Sequence, residues 1–296
     1  MKRNVFGNCV QGASHKRTNL ECQDSYKRIE LDDNTVIMAV ADGHGSNSSP
    51  YSKTGSTIAV NVFCKVISEY IESYSGESER LLTFLNREGD TKIAQAIDAE
   101  WKCRVLKAHK DKKREVPLDA NGEKDKVAIY RLYGSTLVGL VITTTYVFAF
   151  QLGDGDITYV DDSGIDKVLQ SDKILGTETH SLCKPNSWKH AITAVRRRDI
   201  ENSIPCMFML STDGFSNSYK SEQEFEKTCI EYFEMIKQYG VSAVEASLLS
   251  WLAETSELGC GDDITVLIAH YAASSENDEA QHTNVPEGDS VNEQNS

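Results

Sequence analysis

Apolar positions along the chain fall into two kinds of stretch, continuous runs with strand character and longer segments with helical spacing. Val36–Ala41, Tyr146–Leu152, Ile204–Thr212 and Ile264–Tyr271 are nearly unbroken apolar runs and predict central strands. Ile129–Thr143, Ile157–Val160 and Lys167–Gln170 predict further strands, with Asp161-Asp162-Ser163-Gly164 as a hairpin turn between the last two. After Pro50, the residues Ile58, Val62, Val66, Ile67 and Ile71 share one helical face and predict a helix within Tyr51–Tyr74. Ile93, Ala94, Ile97, Trp101 and Val105 do the same for Thr91–Lys107, and two more helices are predicted at Glu222–Tyr239 and Ser242–Glu257. Asn4–Asp42 reads as short strands broken by turns, while Gly176–Ser203 is polar, poorly periodic and predicts no element. Strands, a helix pair, strands, a second helix pair and a strand describe an α+β layered domain with helices outside the sheets.

Composition narrows the setting. A chain of 296 residues is one large domain or two small ones. A boundary is expected near its end: Ser274–Ser296 has six acidic residues and no Lys or Arg, and predicts a disordered, solubilising acidic tail. The expected division is therefore a domain over residues 1–272 and a tail over 273–296. The highly charged segment Lys107–Lys126 predicts a solvated helix end and a surface loop, with the basic run Lys110–Arg114 as part of that face. A net charge of −14 argues against a nucleic-acid partner or an anionic membrane surface. The eight cysteines are scattered, without C-x-x-C spacing, which suits reduced thiols behaving as small apolar side chains. No signal peptide is expected at the start, and no apolar stretch approaches the roughly 18 residues that span a bilayer. A cytoplasmic, soluble protein is the expectation.

Candidate chemistry lies where the apolar runs end. Four of them meet an aspartate beside a glycine: Val36–Gly45, Tyr146–Gly155, Cys206–Gly214 and Gly261–Tyr271. A sheet can gather side chains from distant strand ends into one pocket, and carboxylates gathered there repel unless a cation neutralises them. Oxygen ligands select a hard ion such as Mg²⁺ or Mn²⁺. In Asp42-Gly43-His44-Gly45 the aspartate could coordinate metal, Gly43 lets its own carbonyl approach the same ion, and His44 could titrate near neutrality in that pocket. Each aspartate alone reads as an ordinary turn residue; the four together point to a carboxylate-metal hydrolase. There is no P-loop, H-E-x-x-H or G-x-S-x-G.

In order and spacing these segments resemble the type 2C, metal-dependent protein serine/threonine phosphatases, as a divergent, bacterial-like member. The resemblance rests on Cys22-Gln23-Asp24-Ser25, Asp42–Gly45, Gly134-Ser135-Thr136-Leu137, Gly153-Asp154-Gly155, Ser211-Thr212-Asp213-Gly214 and Asp262-Asp263, and covers roughly Asn4–Tyr271. It implies a four-layer αββα sandwich, two antiparallel β-sheets flanked by helices, with two Mg or Mn ions at one end. Asp42 would bridge the ions, the Gly43 carbonyl would join one, and Asp213 and Asp262 the other. Gln23 and Asp24 would lie near them and Asp154 at a weaker additional position, while a metal-bridging water attacks phosphorus and His44 protonates the leaving oxygen. The implied substrate is a phosphorylated protein, and the implied partner an opposing Ser/Thr kinase.

Three positions depart from the family pattern. Gln23 replaces its early glutamate, Asn19 replaces the arginine that grips phosphate, and Asn217 replaces a second aspartate after Asp213. His15, Lys16 or Arg17 could take over the phosphate grip, and a third metal should bind weakly or not at all. These departures motivate an alternative, a catalytically weak phosphatase-like scaffold or signalling adaptor. A phosphoesterase acting on a small molecule is a further reading. His180, His190 and Arg196-Arg197-Arg198 are read as loop and turn residues, and Trp101, Trp188 and Trp251 as packing residues.

Overall fold

Strands that must be covered on both faces explain the unbroken apolar runs. The computed structural model describes residues 1–169, 180–197, 199 and 201–273. Its strands are β1 (Lys2–Val10), β2 (Ser25–Asp32), β3 (Thr35–Ala41), β4 (Leu137–Ile142), β5 (Tyr146–Leu152), β6 (Asp156–Asp161), β7 (Gly164–Lys167), β8 (Ile192–Arg197), β9 (Cys206–Ser211) and β10 (Ile264–Ala272). They form two five-stranded sheets, in the orders β1-β10-β9-β6-β7 and β2-β3-β4-β5-β8, with every pairing antiparallel.

Along β3 the side chains alternate between two cores. Val36, Met38 and Val40 point between the sheets and meet Leu140, Ala149, Phe208, Leu210 and Leu267. Ile37, Ala39 and Ala41 point outward, against helices α2 (Ser52–Ser73) and α4 (Ala94–Asp111), where Phe63, Ile67, Ile97 and Trp101 pack. On the other sheet, Met207, Met209, Val266 and Ile268 face α7 (Glu222–Tyr239) and α8 (Val241–Leu258) through Phe233, Leu248 and Leu252. Helices, sheet, sheet and helices therefore stack as the four-layer αββα sandwich expected.

Several local expectations shift. The stretch Ile129–Thr143 is not one strand: a short helix, α5 (Lys126–Arg131), precedes β4. Asp125 caps that helix by accepting a hydrogen bond from the Ala128 N–H at 3.0 Å. Three helical pieces follow one another before the charged loop, α3 (Ser78–Glu88), one π-helical turn (Gly89–Ile93) and α4, where only the last was expected. α3 buries only Leu81, Leu82 and Leu85, a stripe too short to stand out among its charges. The polar stretch Gly176–Ser203 contains the edge strand β8, half-exposed along most of its length and so without an apolar run. Residues 170–179, Arg198 and Ile200 lie outside the described residues, as does Ser274–Ser296, where the acidic tail is expected. A further short helix, α1 (Ala13–Thr18), follows β1, and α6 (Asp213–Ser216) follows β9. Within the Lys107–Lys126 loop, the Arg114 guanidinium stacks 3.3 Å from the centre of the Tyr51 ring, so that part of the basic run is fixed to the body. Among the described residues, no helix is long and apolar enough to cross a membrane.

Candidate metal centre

The acidic residues converge because the antiparallel register brings their strand ends to the same edge. Asp42 follows β3, Asp154 follows β5, Asp213 opens α6 immediately after β9, and Asp262 and Asp263 precede β10. Two cross-strand contacts fix the first of these: the Asp42 N–H donates to Thr136 Oγ1 at 3.0 Å, and the Thr136 N–H donates to the Asp42 carbonyl at 2.9 Å. Thr212 and Thr265 lock β9 to β10 in the same way, with the Thr212 N–H on the Thr265 carbonyl at 3.1 Å.

Among the described residues, two groups place carboxylate or imidazole ligand atoms within 4.8 Å of one another: Asp42 with Asp154 and Asp213, and His15 with Asp262 and Asp263. Asp42 is the electrostatic centre. Burial, then the charges of Asp213, Asp262 and Asp154, hold its carboxyl well above the usual carboxylate range. Behind it sits Asp24, 1% exposed, also held well above that range, first by burial and then by Asp42. One Asp24 oxygen accepts hydrogen bonds from the Thr212 and Thr265 hydroxyls at 2.7 and 2.8 Å, which ties the start of β2 in one sheet to β9 and β10 in the other. Its second oxygen, Oδ1, is buried with no hydrogen-bond partner.

The sequence-predicted residues do not all stand in one shell. Asp42, Asp154 and Asp213 face one another directly, and Asp262 lies near enough to raise the Asp42 carboxyl. Asp24 stands behind Asp42. Gln23 is buried, and its Oε1 has no hydrogen-bond partner; it points toward Gly45, where a Cβ would sit 2.6 Å from it and 3.5 Å from His15 Nε2. His15 contacts Asp263 Oδ1 through Nδ1 at 2.9 Å and stands 3.7 Å from Asp262 Oδ1 through Nε2. Arg17 is exposed at the rim beside Gly261, 4.0 Å from Glu257. Gly43 is buried and bridges to Ser135. The His44 N–H donates to the Gly134 carbonyl at 3.1 Å, and its ring lies so close over Gly134 that a Cβ there would meet Cδ2 at 2.4 Å. Only glycine leaves room for that imidazole. Asn217 donates to Asp213 Oδ2 at 2.9 Å, so the residue standing in for a second aspartate orients the first.

Sequence reasoning missed the part played by Asp263. It is 3% exposed and accepts the Gly12 and Gln23 N–H groups, both at 2.6 Å, besides contacting His15. It thus anchors the segments that carry His15 and Gln23. The Asp262-Asp263 doublet signalled it; nothing in the local pattern told which carboxylate turns inward.

The donor set fits hard divalent cations. Several carboxylates crowd around a desolvated aspartate with no Lys or Arg side chain among the causes of its shift, and a neutral amide oxygen nearby lacks a donor. Without cations such a cluster holds protons; with them it offers an all-oxygen site.

A family model described as protein phosphatase 2C matches residues 11–253. None of the curated proteins matches the chain. Among solved structures, a serine/threonine phosphatase of S. agalactiae aligns with a TM-score of 0.55 at 13% identity, over 91% of this chain and 99% of that one. PppA, described as a regulatory component of the T6SS in Pseudomonas aeruginosa, aligns with a TM-score of 0.54 at 15% identity, over 91% and 98%. The catalytic domain of the serine/threonine protein phosphatase PstP, solved with two manganese ions, aligns at 0.52 and 11% identity, over 92% and 99%. At these identities the structural likeness speaks to the fold.

Proposed function

The chain belongs to the protein phosphatase 2C family, and from that premise we propose that it is a metal-dependent phosphatase removing phosphate from phosphoserine and phosphothreonine in proteins. The observation that carries the reading is the desolvated Asp42 carboxyl set among Asp213, Asp262 and Asp154. Two Mg²⁺ or Mn²⁺ ions are the proposed occupants, as PstP carries two manganese ions in its own structure. Asp42 would be shared, with the Gly43 carbonyl and Gln23 toward one ion, Asp213 and Asp262 toward the other, and Asp154 at an additional position. Asp24, its oxygen held by two threonine hydroxyls, would orient Asp42 from behind. Bound there, the ions would supply positive charge to the phosphoryl oxygens and acidify the attacking water.

The chain's own residues divide the remaining work. His44, held over Gly134, would give a proton to the departing serine or threonine oxygen. His15, braced by Asp263, and Arg17 at the rim would grip substrate phosphate where the family arginine is missing. Membership of this family supports a phosphorylated protein as substrate and a Ser/Thr kinase as the opposing partner, and ions at the site would offset the chain's negative charge there. Calorimetric titration with Mn²⁺ tests the assignment. Two bound ions, with binding lost in Asp42→Asn, is the expected result. No binding, or binding unaffected by that change, would favour the scaffold or adaptor reading suggested by Gln23, Asn19 and Asn217.

A further inference from the structure

Cys9 and Cys22 meet beside the acidic centre. Cys9 lies on β1 opposite Thr265, and Cys22 immediately precedes Gln23. Their sulfur atoms are 3.3 Å apart, and each also approaches a backbone carbonyl of the other's segment, Cys9 that of Asp24 and Cys22 that of Val10, both at 3.8 Å. Both residues are only half-buried, and Cys22 follows the exposed Leu20 and Glu21 in the chain, so the pair lies toward the surface and not sealed in a core. The other thiols provide contrast: Cys64, Cys183, Cys206 and Cys229 are buried, and Cys103 and Cys260 are exposed.

We propose that Cys9 and Cys22 form a reversible disulfide that reports oxidation to the candidate metal centre. A disulfide bond is about 2.05 Å long, so the sulfurs need to close by little more than an ångström from where they stand. With a peroxide as oxidant, one sulfur attacks the O–O bond, becomes a sulfenic acid and releases one water. The second sulfur displaces hydroxyl from that sulfenic acid, and a second water leaves. Two thiols and one hydrogen peroxide thus give one disulfide and two waters. A dithiol reductant reverses the bond by exchange.

Cys22 is tied to the acidic centre through the residues that follow it. The next residue, Gln23, donates its N–H to Asp263 at 2.6 Å, and Asp24 follows with its carboxyl against Asp42. Closing the disulfide draws this segment toward β1 and disturbs groups that orient the ligands. Loss of such outer partners typically weakens metal binding by about 10–100-fold. This consequence rests on the metal reading; the disulfide itself does not.

The test uses the full chain, reduced and then treated with limiting hydrogen peroxide, alkylated, digested and mapped by mass spectrometry. The expected product is a crosslink between the Cys9 and Cys22 peptides, with loss of two free thiols, reversal by dithiothreitol, and no crosslink in Cys22→Ser. Oxidation of Cys103 or Cys260 with Cys9 and Cys22 both fully alkylated, or irreversible sulfinic acid at either without a crosslink, would overturn the proposal. Mn²⁺ calorimetry on the same samples reads the coupling: affinity about tenfold or more weaker in the disulfide form, restored by reductant. A mapped crosslink with unchanged Mn²⁺ affinity refutes the coupling. Failure of the metal reading is seen separately, as absent Mn²⁺ binding in the reduced protein before any oxidant is added.

Discussion

Without divalent cations, the acidic centre should make the folded chain lose stability as pH rises from mildly acidic to neutral. Asp24 and Asp42 both have carboxyl groups held well above the usual range, by burial first and by neighbouring aspartates second. Between the unfolded carboxylate range near pH 4 and their folded values, the native state therefore holds protons that the unfolded chain has released. Each extra native proton lowers stability by about 1.4 kcal/mol per pH unit of increase, so the pair sets an upper slope of about 2.8 kcal/mol per unit. The penalty is absent below the unfolded carboxylate range and complete above the folded one. The two carboxyls interact, so their protons leave as a coupled pair. His270 acts in the opposite sense. Burial lowers its pKa, and it offsets at most one proton as pH approaches its ordinary range. A slope that is negative and no steeper than about 2.8 kcal/mol per unit is the expectation. Urea unfolding in chelator, at steps between about pH 5 and 7, measures it directly. Asp42→Asn should make that slope shallower, by at most about 1.4 kcal/mol per unit, and leave the apo protein more stable than wild type at neutral pH. Added Mn²⁺ should flatten the wild-type profile. Stability that is flat or rises through this window in chelator, with no effect of Asp42→Asn, would rule out a proton-holding Asp24–Asp42 pair.

Three further outcomes follow from the packing and the site. Gly55→Ala would place a Cβ 1.9 Å from the Tyr133 carbonyl oxygen, so a loss of about 1–3 kcal/mol in urea unfolding is expected despite the gain in helix propensity. Asp263→Ala removes the acceptor of two N–H groups at 2.6 Å and should cost about 3–5 kcal/mol of folding stability, with Asp263→Asn recovering part of it. For His44→Ala, kcat on a phosphothreonine peptide should fall about 10²–10⁴-fold while an aryl phosphate, whose leaving group needs no proton, is much less affected; equal losses on both would remove His44 from the acid role.

What the sequence made legible was the part governed by burial on both faces. β3, β5, β9 and β10 stand within two residues of the predicted runs because a strand between two layers has no polar side to interrupt it. The acidic ends of those strands were legible for the same reason, since each marks where an apolar run stops. β8 and α3 were not, because half-exposed elements carry charge on the faces that a pattern would need. α5 was hidden when the apolar residues of Ile129–Thr143 merged a helix end with a strand. Within the site, sequence could gather the aspartates but could not sort them by depth. Asp24 lies behind Asp42 because Thr212 and Thr265, from the other sheet, hold it there, and Asp263 turns inward because the Gly12 and Gln23 N–H groups meet it. Such partners come from distant segments, and spacing along the chain carries no trace of them.

In the proposed function, carboxylates at the ends of these strands hold cations with which the chain removes phosphate from proteins. Its most direct test is phosphate release from a phosphothreonine peptide with Mn²⁺, with and without chelator, beside Asp213→Asn. Release should require Mn²⁺, stop with chelator and be lost in the variant. Release that persists in chelator or in folded Asp213→Asn, or no release from folded wild type with Mn²⁺ bound, would contradict it.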